Sequence, residues 1–483
     1  MKKVLIAGLF LAVSQAALAQ VPAQKPPAPA RSSERPFFGR FGFVSLYQRS
    51  ANPSHVVLFV SGDGGWNKGV VDMAQELSAL DTLVVGIDIT HYLKELAASK
   101  ESCVYPAADF EALSQFIQKK LGLPRYESPI LVGYSSGATL VYALLAEAPA
   151  GTFRGAVSLG FCPDLALLKP LCRGDGLEWK PNPKGKGVIF LPAPKLKVPW
   201  VALQGAEDQV CNPQETQAYV KLVGNGEIIM LPKVGHGFSV PKNWMSQFKQ
   251  AFSSLTAKPG PAGTAVAPEV GNLPLVELAA TAPLTDTLAV FISGDGGWAG
   301  IDRQVSTELA ARGVAVVGLD SLRYFWKKRG PDEAAQDLRR ILQHYFPTWK
   351  KSRALLIGYS QGADVLPFMT NRLPKDLLAQ VQLVALLGPS RTADFEFHLT
   401  DWLGIASSEP SLPVLPEVQK LRGMRILCFS GDEEKDSLCE LLGPSLAESI
   451  VLKGGHHFGG DYKSIAETIL KQARLPAAES RPK

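Results

Sequence analysis

The chain has 483 residues, 46% hydrophobic and 20% charged, with a formal net charge of +5. So slight a basic surplus gives no electrostatic footprint for nucleic acid, and the length suits two domains with separate cores. Six cysteines with no CxxC and no Cys/His cluster at metal spacing exclude a zinc module and fit disulfides in an oxidising compartment.

The first elements concern export. Lys2 and Lys3 precede an apolar run over 4–13, and Ala17-Leu18-Ala19 stands before Gln20, the layout of a secretory signal in residues 1–19. The run is too short to span a bilayer, and no Cys follows it to carry a lipid. Cleavage and a periplasmic location are expected, and loss of two lysines would lower the charge from +5 to +3. Residues 20–36 are rich in Pro and Ala and read as a solvated tether.

In the first half, 37–257, apolar runs at 56–60, 83–87, 130–134, 156–161, 200–203 and 227–231 predict buried strands. A Pro/Gly/Ala linker, 258–272, leads to a second half, 273–475, before a polar tail, 476–483. There, strands are predicted at 287–292, 314–319, 354–359, 381–387 and 424–429. Helices are predicted at 301–311, 332–345, 361–372 and 461–474. Continuous Val/Ile/Leu strands alternating with helices imply an α/β fold: two tandem α/β-hydrolase-like domains, each a mostly parallel sheet flanked by helices. The stretches 162–197 and 389–422 read as irregular insertions that leave caps over the sites an open question.

Four motifs occur in the same order in both halves. Val60-Ser61-Gly62-Asp63-Gly64-Gly65-Trp66 returns as Ile292-Ser293-Gly294-Asp295-Gly296-Gly297-Trp298, and Gly133-Tyr134-Ser135-Ser136-Gly137 returns as Gly358-Tyr359-Ser360-Gln361-Gly362. An Asp with two residues between it and a Cys follows (Asp208 with Cys211, Asp436 with Cys439), then a glycine-flanked His ahead of Phe. Gly-x-Ser-x-Gly at a strand-to-helix turn lifts a serine clear of the sheet, and the serine then needs a His base and an acid that fixes its tautomer. The expected triads are Ser135, Asp208 and His236, and Ser360, Asp436 and His456.

Two choices in the second half rest on alignment. Phe238 against Phe458 selects His456 over His457, and Cys211 against Cys439 selects Asp436 over Asp432. The oxyanion hole is expected from the turns Gly62-Asp63-Gly64 and Gly294-Asp295-Gly296, with the N–H groups of Ser136 and Gln361. Asp63 and Asp295 also suit backbone bonds within a tight turn. His55, His91, His344 and His398 read as surface or satisfied core residues. Trp66 and Trp298 read as packing, with Trp298 also a candidate pocket wall. Arg323-Tyr324-Phe325-Trp326-Lys327-Lys328-Arg329 interleaves cations with aromatics, as a phospholipid surface would require or a solvated loop would allow. Even cysteine counts favour intradomain bridges: Cys428–Cys439 in the second half, and one of three pairings in the first, of which Cys162–Cys172 is the most local.

Residues 293–298, 320–331, 358–363 and 454–461 resemble the VirJ/AcvB family of exported bacterial virulence proteins, and the two-half layout is similar to its longer members. The resemblance implies a periplasmic serine esterase that acts on aminoacylated phosphatidylglycerol at the inner-membrane surface, without metal or cofactor, chiefly in the second half. It carries Ser360 and His456 over as nucleophile and base, and Asp436 as acid. Asp295 or Asp364 would receive the substrate's ammonium, with Trp298, Arg323, Trp326 and His457 as further substrate contacts. The alternative is a non-enzymatic periplasmic adaptor for secretion-system proteins on the same scaffold. A third possibility is a soluble esterase for small or acyl-chain esters.

Overall fold

The computed structural model describes residues 30–31, 35–174, 176–257, 270–281, 285–397 and 411–473. The 1–19 signal, most of the 20–36 tether, linker residues 258–269, the 476–483 tail and His398 lie outside the described residues.

Two large sheets with the same topology carry the chain. The first contains β1 (Ala30–Arg31), β2 (Ser45–Gln48), β3 (His55–Val60), β4 (Thr82–Ile87), β5 (Ile130–Tyr134), β6 (Gly155–Leu159), β7 (Trp200–Gly205) and β8 (Gly226–Leu231). Their order across the sheet is β1-β2-β4-β3-β5-β6-β7-β8. The second contains β9 (Leu275–Leu278), β10 (Thr287–Ile292), β11 (Ala315–Leu319), β12 (Arg353–Tyr359), β13 (Val381–Leu387), β14 (Ile426–Gly431) and β15 (Glu448–Leu452). They run β9-β11-β10-β12-β13-β14-β15. From β3 to β8 and from β10 to β15 neighbours pair in parallel, whereas β2 on β4 and β9 on β11 are antiparallel.

Each parallel sheet is buried on both faces, because its strands are Val/Ile/Leu runs that helices cover on either side. The chain reverses direction in strand order at β3–β5 and β10–β12, and the two repeated glycine-rich turns and serine turns sit at the carboxyl ends there, where such sheets bind ligands. The helices that matter below are α1 (Pro106–Lys120), α2 (Ser136–Glu147), α3 (Gly300–Ala311) and α4 (Gln361–Asn371).

Four elements depart from expectation. Ala30 and Arg31 pair with Gln48 and Tyr47, so part of the supposed tether is an edge strand. β2 and β9 are short antiparallel strands at the margins of the parallel sheets and have no continuous apolar run. β15 is half exposed, with Val451 at the surface, so its pattern lacks the apolar run of a central strand. The insertions carry small sheets of their own: Asp164–Leu165, Trp179–Pro181 and Val188–Phe190 in the first half, Thr392–Ala393 and Leu412–Pro413 in the second.

Disulfides join Cys103 to Cys172, Cys162 to Cys211 and Cys428 to Cys439. Of the three pairings left open in the first half, the most local, Cys162–Cys172, is not the one formed: Cys162 reaches the loop after β7 and Cys172 the segment before α1. A fifth apolar cluster joins the halves: Tyr126 of the first with Leu322, Trp326 and Phe397 of the second.

Candidate active site

The two serines occupy the same strained position. Ser135 has φ 55° and ψ −123° between β5 and α2, and Ser360 has φ 49° and ψ −120° between β12 and α4. A non-glycine residue is held there only when packing on all sides over-determines it, and the effect is to project the hydroxyl above the sheet. The glycine-rich turns press against these serines. A Cβ on Gly62 would stand 3.0 Å from that of Ser135, and one on Gly294 3.4 Å from that of Ser360. The N–H groups of Ser136 and Gln361 open their helices, where first-turn donors lack intrahelical acceptors.

In the first half the relay is complete. Ser135 Oγ lies 2.9 Å from His236 Nε2, and His236 Nδ1 lies 2.9 Å from Asp208 Oδ2. Asp208 is fully buried at its side chain and accepts three further bonds: from the N–H of Val210 and of Cys211 at 2.9 Å each, and from Gln204 Nε2 at 3.0 Å. These donors replace the water that a buried carboxylate loses. The Cys162–Cys211 bridge fastens the acid's loop to the segment following β6. Asp208, Cys211 and His236 also approach at metal-ligand distances, but the Cys211 sulfur is held in that bridge and the other two in the relay.

The second half assembles a different acid. His456 Nδ1 lies 2.5 Å from Glu434 Oε1, and Glu434 Oε2 accepts the Gly431 N–H at 2.6 Å. Asp436 is not at the histidine. Its side chain is 82% exposed and pairs with Arg391 at 3.3 Å. Asp432, the other candidate, accepts the Gly454 N–H at 2.7 Å. The cysteine alignment misled because the two cysteines are not counterparts: Cys211 bridges to Cys162 beyond β6, whereas Cys439 bridges to Cys428 inside β14. A better signal stood in the sequence. Asp208 and Glu434 each follow a strand-ending glycine, Gly205 and Gly431, by three residues.

His456 is the more open of the two bases, its side chain 40% exposed against 17% for His236. With Glu434, Gly388 and Ser390 it lines an open cavity of about 320 Å³, whose rim carries Arg391 and Asp436. His457 is held elsewhere: its Nδ1 lies 3.1 Å from the Tyr359 hydroxyl, and burial together with the neighbouring His456 lowers its pKa. Tyr134 and Tyr359 were not singled out by sequence. Each hydroxyl donates to the carbonyl of the catalytic-loop histidine, His236 at 3.1 Å and His456 at 3.3 Å, and so braces the loop against the serine's own strand.

Other expected contacts turn out to be structural. Trp298 packs edge-on to Phe291 and lies over Gly318, where a Cβ would stand 2.2 Å from its ring, so it is core rather than pocket wall. Trp66 lies over Gly86 in the same way. Asp364 is buried and accepts the Ser390 N–H at 2.6 Å; burial raises its pKa well above the ordinary carboxyl range, which leaves no charged carboxylate for an ammonium. The turn bonds expected of Asp63 are made by Asp88, which accepts from the N–H groups of Trp66 and Thr90 at 3.3 and 2.9 Å. Asp295 is partly exposed on its turn beside Ser360.

The basic-aromatic run does not face a membrane with its aromatics. Trp326 is 3% exposed and donates from Nε1 to Leu123 O at 2.8 Å, while Arg323 binds Asp320 and donates to Ser128 Oγ at 2.7 Å. Both are contacts between the halves, and of the run's cations Lys327 and Lys328 are the exposed ones.

Among solved structures, the chain is similar to an esterase domain from Rhodothermus marinus at 13% identity, with 44% of this chain and 92% of that one covered and a TM-score of 0.30. It is likewise similar to Est1E from Butyrivibrio proteoclasticus at 13% identity (45% and 96% covered, TM-score 0.30). An α/β serine hydrolase without lid from Xanthomonas campestris matches at 17% identity (47% and 94% covered, TM-score 0.30). No curated protein matches the sequence. The model of the bacterial virulence protein VirJ matches residues 54–158 and 286–476, spanning the glycine-rich turn and serine turn of both halves and the acid and histidine of the second. That match covers more than half of the chain, so the chain belongs to the VirJ family of bacterial virulence proteins.

Proposed function

We propose that the protein is a periplasmic serine esterase that hydrolyses the aminoacyl ester of lysyl- or alanyl-phosphatidylglycerol, with its main turnover at Ser360. The observation that carries the proposal is the strained turn at Ser360 together with a histidine whose outer nitrogen is fixed by a carboxylate, His456 with Glu434; among the described residues Ser360 and His456 make no direct hydrogen bond of the kind that joins Ser135 to His236. Glu434 accepting from Nδ1–H leaves the Nε2 lone pair free to take the serine proton. Ser360 Oγ would attack the aminoacyl carbonyl carbon while His456 takes its proton. The oxyanion would receive the Gln361 N–H and a donor from the 294–296 turn. Collapse would break the bond to the glycerol oxygen, which leaves with the proton from His456, and water would then release the amino acid by the same route.

An acyl group that carries an ammonium suits a site flanked by carboxylates, and Asp295 stands beside the nucleophile. Export is supported by three disulfides and the signal-like start; no described helix is long and apolar enough to cross a membrane. The complete relay at Ser135 supports a second hydrolytic centre in the first half.

The deciding experiment incubates vesicles of lysyl- and alanyl-phosphatidylglycerol with wild type, Ser135→Ala and Ser360→Ala, and follows the lipids by thin-layer chromatography. Loss of aminoacyl lipid with the first two but not the third is expected. Intact lipid with folded wild type would overturn the esterase proposal in favour of the adaptor.

A further inference from the structure

The chain turns in the same way after β6 and after β13, and both turns press on a histidine. Gly160 has φ 66° and Gly388 φ 60°. A Cβ on Gly160 would stand 3.3 Å from His236 Cε1, and one on Gly388 2.8 Å from His456 Cε1. The second of these turns is also fastened to the nucleophile. Leu387 O accepts the Ser360 N–H at 2.9 Å, and the Ser390 N–H donates at 2.6 Å to Asp364, whose own N–H donates to Ser360 O at 3.0 Å. Arg391 follows at once, so the bonds that set the serine turn also set its place beside the site.

The loop that carries the acid brings a second cation. Lys435 is the residue after Glu434, and Arg391, Lys435, Glu434 and His456 line one open cavity of about 320 Å³. Lys435 makes no hydrogen bond or ion pair among the described residues. Arg391 meets Asp436 and Glu440 at 3.3 and 3.5 Å, longer than the roughly 2.8 Å of a charge-assisted hydrogen bond. Both acids are more than half exposed, so water screens their hold on the guanidinium. Its N–H donors can therefore serve an acceptor seated in the cavity. The first half has neither cation. Three residues past Gly160 stands Pro163, where the second half has Arg391, and after Asp208 stands Gln209, where the second half has Lys435. Two sites built on one plan thus differ in charge at the same two places, both on the side of the base.

We propose that Arg391 and Lys435 bind the anionic phosphodiester of the leaving alcohol at the second site, and that the first site does not select for it. This rests on the esterase reading. His456 gives its proton to the leaving glycerol oxygen, so the alcohol part of the ester lies on the histidine's side. The glycerol carbons between that oxygen and the phosphate then carry the negative charge into the cavity that His456 lines. Arg391 offers a planar fork of donors that matches two phosphate oxygens, and Lys435 adds a point charge.

The test uses the full chain with one serine left at a time, Ser135→Ala to isolate the second site and Ser360→Ala to isolate the first. Lysylglycerol and lysyl-glycerophosphoglycerol are the probes; they share the reacting bond and differ in the phosphodiester, and release of lysine is followed. At the second site the phosphodiester ester is expected to show a KM about tenfold or more below that of lysylglycerol, the worth of one charge-assisted contact. Arg391→Gln should raise that KM about tenfold and Lys435→Gln about threefold, with lysylglycerol changed less than about twofold; Arg391→Lys should recover part of the loss. The first site should show no preference. Equal KM values for the two esters at the second site, or an equal change for both in Arg391→Gln, would overturn the proposal and leave the esterase standing. Phosphorus NMR of glycerophosphoglycerol mixed with the wild-type and Arg391→Gln chains separates the two readings. If neither ester is cleaved but the wild type binds this probe and Arg391→Gln binds it about tenfold more weakly, the esterase fails and the phosphate site stands. If neither ester is cleaved and the wild type does not bind the probe, both fail.

Discussion

Replacing Glu434 by Gln tests the assignment of the acid more sharply than any loss of the serine. Glu434 has two bonds, one carboxylate oxygen 2.5 Å from His456 Nδ1 and the other accepting the Gly431 N–H at 2.6 Å. A glutamine has one acceptor and one donor end. Turning its NH₂ toward Gly431 would set donor against donor, so the carbonyl oxygen stays there and the NH₂ faces His456. Nδ1 must then accept, which moves the ring proton to Nε2 and removes the lone pair that Ser360 needs. Forcing this tautomer in serine hydrolases costs about 10⁴ in kcat, close to 5.5 kcal/mol of barrier. Asp436→Asn loses only an exposed contact with Arg391, of a kind worth about 0–1 kcal/mol to stability, and should leave kcat within about twofold. The assay is p-nitrophenyl ester turnover at saturating substrate in the Ser135→Ala background. A Glu434→Gln chain that keeps more than a tenth of the activity, or an Asp436→Asn chain that loses as much as it does, would refute the assignment.

Two further outcomes follow from the contacts between halves and from a buried carboxyl. Trp326→Ala removes a 3%-exposed indole that stacks on Phe397 and binds Leu123 O. It should cost about 3–5 kcal/mol and split calorimetric unfolding into two transitions; a single unshifted transition would exclude an energetic role for this contact. Glu147 is buried, with one oxygen accepting the Ala107 N–H and the other unpartnered, and desolvation pushes its carboxyl up to about 9. A carboxyl raised on folding binds more protons in the native state, so its contribution is full below about pH 4.5 and is lost as pH rises toward 9. Thermal melts from pH 5 to 9 should show that decline, and Glu147→Gln should flatten it; an unchanged slope would refute the assignment of the decline to this residue.

Most of the architecture was legible because burial on both faces writes itself as continuous apolar runs. Thr287–Ile292, Ile130–Tyr134 and Val381–Leu387 were each predicted with their observed bounds. The edges were not legible. Leu275–Leu278 and Glu448–Leu452 each pair with one neighbouring strand, and Ser45–Gln48 with one long strand and a two-residue edge; their sequences carry no signal of it. The motif order placed Ser135, Asp208 and His236 together because short segments at strand ends fix each of them.

Sequence by itself determined the two sheets, the strained serines and the histidines, since each is written in a local run of residues. Tertiary structure decided which carboxylate meets His456, how Cys103 and Cys162 pair, and what the aromatic run around Trp326 touches. Glu433, Glu434 and Asp436 differ by one or two positions along the chain, and only the path of the loop after Gly431 selects which of them faces the ring. Trp326 reads the same whether it meets a lipid, water or Tyr126; the choice was made by a helix two hundred residues earlier in the chain, folded against it.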